Sequence, residues 1–174
     1  IISATSTAEM AMAQLKQAVE STGKVAGFTA KELDKNAAAL QQVSTFGDEA
    51  LNSMQSSLLT FTNLRGNVLP QTTEAVLNLA TRMGTDLNSA ALQLGKALND
   101  PVANLGALSR AGIQFSVDQK KVIKTMAQTG RLAEAQGVIL KELETQFGGA
   151  AAAARDTFGG ALEGLGNAFS DLLE

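Results

Sequence analysis

The chain has 174 residues, a formal net charge of −3 and a pI near 5.0. It is long enough for one domain with a substantial core, and it offers no basic surface that would neutralise nucleic-acid phosphates. Cysteine and histidine are both missing from the sequence, which excludes disulfides, thiolate nucleophiles, zinc sites with sulfur or nitrogen ligands and the histidine proton shuttle. Absence of cysteine fits a reducing compartment.

Apolar residues recur at three- and four-residue steps along most of the chain, and none of the runs alternates with the two-residue period of a strand. This pattern predicts an all-α fold of several short amphipathic helices packed as hairpins, with about seven to nine helices between residues 4 and 147. All five methionines lie on or near the apolar stripes and are expected to fill the core. In chain order the stripes contain Leu15 and Val19; Leu33, Ala37 and Leu40; Leu51, Met54, Leu58 and Phe61; Val76, Leu79, Ala80 and Met83; Leu87, Ala91, Leu94 and Leu98; Ile123 and Met126; and Leu132, Ile139, Leu143 and Phe147.

Two capping boxes mark helix starts. In Thr29-Ala30-Lys31-Glu32 and in Ser116-Val117-Asp118-Gln119, a hydroxyl is followed three residues later by a carboxylate or an amide. The hydroxyl accepts a bond from an unpaired helical N–H, and the second side chain reaches back to the N–H of the capping residue. Helices are therefore expected to begin just after Thr29 and Ser116.

Glycine and proline mark further boundaries. Gly84 is expected to end one helix in the left-handed conformation, and Thr85 to cap the next. Asp100 is expected to cap a helix that has Pro101 at its first position, where no N–H is needed. Pro70 is expected to open another helix in the same way.

The last part of the sequence contains an eleven-residue repeat. Phe147, Phe158 and Phe169 are eleven residues apart, and Leu162 and Leu165 lie four and seven residues after Phe158. Eleven residues make about three helical turns, so these side chains would form one nearly straight stripe. They are the candidate site of this protein, a helix-packing or self-association stripe.

The repeat predicts that the chain divides into a multi-helix module, residues 1–147, and a longer Gly/Ala-rich helical segment, residues 148–174, with 149–172 as one continuous helix. Two uses of the stripe stay open: contact with another chain, or packing on the preceding helices. The chain starts without methionine, and the stripe runs to residue 174 without a stop signal. We interpret the chain as an internal fragment whose last helix continues into further sequence.

The sequence lacks clear motifs for phosphate binding, calcium binding or catalysis. Gly95-Lys96 lacks the Ser or Thr and the earlier glycine of a phosphate-binding loop, and no calcium-loop pattern occurs. Glu142 and Glu144 are two residues apart, so on a helix they would face different directions. We predict no catalytic residue, no cofactor and no metal site. With no apolar window of the 18 or so residues that a spanning helix needs, we also predict no transmembrane span.

Residues 94–152 contain an ordered series of motifs: Ala97-Leu98-Asn99-Asp100-Pro101, Leu105-Gly106-Ala107-Leu108, Ala111-Gly112-Ile113-Gln114-Phe115-Ser116, Gln136-Gly137-Val138-Ile139-Leu140-Lys141-Glu142-Leu143 and Phe147-Gly148-Gly149-Ala150. With this series, the segment resembles the tail tape measure proteins of long-tailed bacteriophages and prophages, and the upstream part is compatible with the same family.

The resemblance implies a structural role inside the tail tube, where the length of such a protein sets the length of the tail. It implies other copies of the chain, the tail tube protein and tail assembly chaperones as partners. It also implies assembly in the bacterial host cytoplasm and a final place in the tube lumen of the virion. No catalytic residue carries over from the family to this segment.

Two other classes remain as alternatives. The first is a helical binding or translocator module of a secretion system or a membrane-active toxin. The second is a fragment of a lytic enzyme, since some relatives carry such domains elsewhere in their chains.

Overall fold

Residues 4–156 are described by the computed structural model of the chain, and eight α-helices make up most of them. No strand occurs between residues 4 and 156. The predicted all-α class and the expected number of helices before residue 147 are both confirmed. The helices are α1 (Ala4–Ser21), α2 (Ala30–Gln42), α3 (Asp48–Leu59), α4 (Val68–Met83), α5 (Leu87–Asn99), α6 (Pro101–Arg110), α7 (Val117–Gln128) and α8 (Leu132–Phe147).

Neighbouring helices fold back on each other, as short connections favour. The pairs α2–α3, α4–α5, α5–α6 and α7–α8 are all in contact. Three further contacts join helices that are not neighbours in sequence, because α1 packs on α3, α3 on α5 and α4 on α8. These three contacts close the chain of hairpins around one shared core.

The core is built mainly from leucine and alanine. Its largest fully buried side chains include Leu51, Met54 and Leu58 of α3 and Leu94 and Leu98 of α5. These are the residues of the predicted apolar stripes, and the hydrophobic effect holds them inside because each full burial contributes about 1.5–3 kcal/mol. The periodicity therefore located the buried faces of the central helices.

Both predicted capping boxes are present. The Thr29 Oγ1 accepts from the N–H of Glu32 at 3.2 Å, and the Glu32 carboxylate accepts from the N–H of Thr29 at 2.8 Å. The backbone bond from Thr29 lowers the pKa of Glu32. Ser116 and Gln119 make the corresponding pair of bonds at 3.0 and 2.8 Å. The starts of α2 and α7 are thus determined by contacts within four residues.

The boundary between α4 and α5 differs in one detail from the prediction. Gly84 ends α4 with φ of +66°, as expected, but the cap of α5 is Asp86 and the prediction of Thr85 is wrong. The Asp86 carboxylate accepts from the N–H of Ser89 at 2.8 Å, which lowers its pKa. A carboxylate one residue closer to the helix takes the position that the hydroxyl of Thr85 was expected to hold.

The two prolines occupy different positions in their helices. Pro101 is the first residue of α6, and the carboxylate of Asp100 accepts from the N–H of Ala103 at 3.2 Å, as predicted. Pro70 is instead the third residue of α4, which begins at Val68, so the prediction that Pro70 opens the helix is wrong by two positions. Every N–H of the first turn lacks a helical partner, so proline is tolerated throughout that turn.

The methionines do not all fill the core. Met54 is fully buried, but Met10 and Met83 are 61% and 43% exposed, which corrects the expectation for these two. Met83 is the last residue of α4 and lies next to the exposed turn at Gly84. At the end of a helix, a residue at an apolar stripe position need not contact a neighbouring helix.

Candidate functional site

The predicted stripe begins at Phe147, which is the last residue of α8 and packs half-buried against the core. The helix stops there because Gly148 has ψ of 136° and Gly149 has φ of +79°. Phe147 therefore belongs to a different helix from the helical residues 150–156. The other stripe residues, Phe158, Leu162, Leu165 and Phe169, lie outside the described residues, so the continuous helix over 149–172 and the stripe stay predictions.

Three hydrogen bonds join residues 150–156 to α4 and to the end of α2. The N–H of Ala151 donates to the side-chain oxygen of Asn78 at 3.0 Å. The Nη1 of Arg155 donates to the carbonyl oxygens of Gln41 at 3.0 Å and Ser44 at 2.6 Å. These contacts cross the predicted boundary between residues 147 and 148. The division into two parts remains a prediction.

A chain of buried amides joins α2, α3 and α4. Asn52 donates to Asp34 at 2.8 Å, and Gln55 donates to Asn52 at 3.1 Å. Asn36 donates to Gln55 at 2.9 Å and to the hydroxyl of Thr73 at 3.3 Å. Buried polar groups cost little when their partners are present and much when they are not, so this chain of bonds specifies how the three helices align.

Gln136 connects three distant parts of the module. It is 2% exposed, and its side-chain nitrogen donates to the carbonyl oxygens of Asn63 at 2.9 Å and Leu98 at 3.0 Å. Asn63 in turn donates two hydrogen bonds to Asn99, from its backbone N–H to the side-chain oxygen and from its side-chain nitrogen to the carbonyl oxygen. One side chain of α8 thereby holds the end of α5 and the α3–α4 connection together.

A second amide, Gln146, joins α8 to the connection before α7. Its nitrogen donates to the carbonyl oxygen of Gln114 at 2.8 Å and to the Glu142 carboxylate at 2.7 Å. Gln119 donates to the same carboxylate at 2.8 Å. The hydrogen bond from Gln146 is the main cause that lowers the pKa of Glu142, and the bond from Gln119 is the next. Through the bond from Gln119, this carboxylate joins α7 to α8.

A surface cleft of about 830 Å³ lies between α4 and α8. Its polar lining includes Glu74, Asn78, Lys141 and Glu144, and Gly148 and Gly149 close one end. Glu142 faces α7 instead, so Glu142 and Glu144 point to different neighbours, as their spacing predicted. The cleft brings together acidic and basic side chains of α4 and α8.

A smaller groove of about 240 Å³ lies between α6 and α7. Leu105 and Ile123 form its apolar floor, and Lys120 and Lys124 stand at its edge. On the same helix as the lysines, Val117 is 67% exposed.

Several kinds of site are not found in the described residues. Between residues 4 and 156, no group of three or more acidic side chains is arranged to hold a metal ion. None of the helices in that range is both long enough and apolar enough to span a membrane. The comparisons with known proteins found no match among protein-family models, curated proteins or solved structures.

Sequence reasoning did not single out the buried amides Gln55 and Gln136, although a signal was present. Gln136 follows Leu132 by four residues and precedes Ile139 by three, so it occupies a position of the apolar stripe of α8. Gln55 takes the equivalent position four residues after Leu51. A polar residue at a stripe position indicates a buried group with specific partners.

Proposed function

We propose that this chain is a structural segment of a phage or prophage tail tape measure protein, which sets tail length and occupies the lumen of the tail tube. The main support for the proposal is the structural role of the residues that carry the resemblance. Asp100 and Pro101 start α6, Leu108 and Ile113 are fully buried, and Ser116 caps α7.

The same holds for the last two pieces of the series. Gln136, Ile139 and Leu143 are buried in α8, and Gly148 and Gly149 make the break after it. The ordered motifs thus serve as helix starts, helix ends and core contacts. Such use suits a protein that works through its length and its helix surfaces, and we propose no catalytic group, cofactor or metal for it.

The partners and the location follow from the same proposal. Other copies of the chain, the tail tube protein and the tail assembly chaperones are its proposed partners. Assembly takes place in the cytoplasm of the bacterial host, and the finished protein lies in the tail tube of the virion. The exposed surfaces available in the described residues include the α4–α8 cleft and the α6–α7 groove.

A tape measure acts through its extended length, whereas the helices of this chain are packed against one another. A fully extended helix of this length would span about 260 Å, whereas a compact chain of 174 residues has a radius of gyration of about 16 Å. We propose that the module is packed when isolated and opens out inside a tube, where contacts with the lumen replace contacts between its helices. Small-angle scattering of the purified chain should give the compact value, and a rod-like profile would contradict the packed form.

The proposed role in setting tail length can be tested by an in-frame deletion in the gene that encodes this chain. Deleting residues 94–152 in frame should shorten the tail by about 90 Å, since each residue of an extended helix contributes about 1.5 Å. Inserting an unrelated helical segment of equal length at the same place should restore the tail. Electron micrographs that show tails of unchanged length in the deletion strain would refute the ruler role.

Self-association through the predicted stripe has its own test. Replacing both Phe158 and Leu162 by Asp should abolish oligomers in sedimentation experiments if the stripe joins two chains, because buried unpaired carboxylates are strongly unfavourable. Oligomers that persist in this double variant would exclude the stripe as the contact between chains.

A helical binding or translocator module is the second candidate, and the α6–α7 groove with the exposed Val117 favours it. This candidate predicts that the purified chain floats with liposomes of anionic lipid in a density gradient. A chain that stays at the bottom of the gradient contradicts the membrane-active version of this candidate.

A further inference from the structure

We propose that Asn78 and Arg155 form a latch, which holds residues 150–156 against the module above a hinge at Gly148–Gly149. When the latch breaks, residues 150–156 leave the module while the eight helices stay folded. The latch needs no partner protein, and it would operate in any assembly that the chain serves.

The hinge consists of backbone alone. Gly148 has φ of −54° and ψ of 136°, Gly149 has φ of +79°, and both are exposed. A Cβ built on Gly149 meets no atom within 4 Å, whereas a Cβ built on Gly148 would clash with the carbonyl oxygen of Glu144, so only the Gly149 side of the turn is open. Glycine readily adopts φ values of either sign, which makes the pair a suitable place for a change of direction.

Each end of the helical segment is held by one of the latch residues. Asn78 of α4 accepts from the N–H of Ala151, which is one of the first-turn donors that have no helical partner. One turn later, Arg155 donates to the carbonyl oxygens of Gln41 and Ser44 where α2 ends. Because the two contacts lie on different helices of the module, they determine both the position and the direction of the segment.

Apolar burial contributes little to this attachment. Ala151 is 5% exposed and packs on the core, whereas Ala152, Ala153, Arg155 and Asp156 are exposed. The side chain of Ala151 is a single methyl group, which offers little area to remove from water. The polar contacts therefore dominate the attachment, and they can be broken without opening the core.

The absence of cysteine makes a distance measurement straightforward. Spin labels are attached to Lys35→Cys on the exposed face of α2 and to Asp156→Cys, and the distance distribution is recorded by pulsed electron paramagnetic resonance. With the latch intact we expect a single narrow distribution. Arg155→Ala and, separately, Asn78→Ala should each add a population at longer distance.

Amide hydrogen exchange gives the second measurement. Exchange of residues 151–154 should accelerate roughly tenfold or more in each variant, since a charge-assisted or a half-buried hydrogen bond is lost, while protection of α3 and α5 stays unchanged. Arg110→Ala removes an exposed arginine from α6 and is the matched control, with no expected effect. Unchanged distances and exchange in both latch variants would overturn the proposal. Loss of protection in α3 and α5 together with residues 151–154 would overturn it as well, because the segment would then be an inseparable part of the core.

Discussion

Replacing Gln136 by Leu is a sharp test of how the module is held together. The substitution keeps the approximate size of the side chain but removes the nitrogen that donates to the carbonyl oxygens of Asn63 and Leu98. Leu98 lies in the last turn of α5, where a carbonyl has no helical partner, so its bond to Gln136 has no substitute within the helix.

The expected loss follows from these contacts. Leaving a buried carbonyl without a donor costs about 1–3 kcal/mol, so two carbonyls cost about 4 kcal/mol at the middle of that range. The more apolar leucine side chain offsets about 1 kcal/mol of this loss. We expect the free energy of unfolding to fall by about 3 kcal/mol, and the urea midpoint by about 1.5 M for an m-value of about 2 kcal/mol/M.

Urea unfolding followed by far-ultraviolet circular dichroism measures this change. The matched control is Gln93→Leu, because Gln93 lies on the exposed face of α5, and its replacement should change the stability by less than about 0.5 kcal/mol. If Gln136→Leu is as stable as the control, the two carbonyls do not depend on Gln136, and the reasoning about this bridge is wrong.

Three further predictions concern core, turn and cap. Leu94→Ala should reduce the free energy of unfolding by about 2–5 kcal/mol, because Leu94 is fully buried, while Leu92→Ala on the exposed side of α5 should cost far less in the same urea titration. Gly84→Ala should cost about 1 kcal/mol in thermal unfolding, since φ is +66° there, and Gly47→Ala, at φ of −79°, should be nearly neutral; equal effects would contradict the role of the left-handed turn. The bond from Ser89 lowers the pKa of Asp86 in the folded state, so its contribution to stability is complete above the unfolded pKa of about 4 and is lost as the pH falls through the folded value. Asp86→Asn retains a good cap without this titration, so its urea midpoint should fall less on acidification than that of the parent chain, and an equal fall would show that Asp86 does not contribute.

Helix positions were predictable because their causes are local. A capping box acts over four residues, and an apolar stripe is visible within one helix, so α2, α7 and the buried faces of α3 and α5 could be predicted. The two errors at helix starts occurred where two local solutions compete. Thr85 and Asp86 are both good N-cap residues, and Asp86 is the one that caps α5. Proline is acceptable at several positions of the first helical turn, and Pro70 is the third residue of α4.

Only one member of the candidate stripe lies within the described residues. Its first member, Phe147, ends α8, and the remaining members lie beyond residue 156. The glycine pair after Phe147 was visible in the sequence and was included in the repeat. Its torsion angles show that it separates two helices.

By itself, the sequence determined the all-α class, the starts of α2, α6 and α7, the end of α4 and most of the buried apolar faces, because these depend on periodicity and on contacts within one or two turns. Only the tertiary structure decided that α1 packs on α3 and α4 on α8, since stripes of leucine and alanine resemble one another and do not specify their partners. The tertiary structure also decided that Gln136 serves Asn63 and Leu98, and that Arg155 reaches Ser44. These partners are distant in sequence, and a hydrogen bond across such a distance exists only after the helices between them have packed.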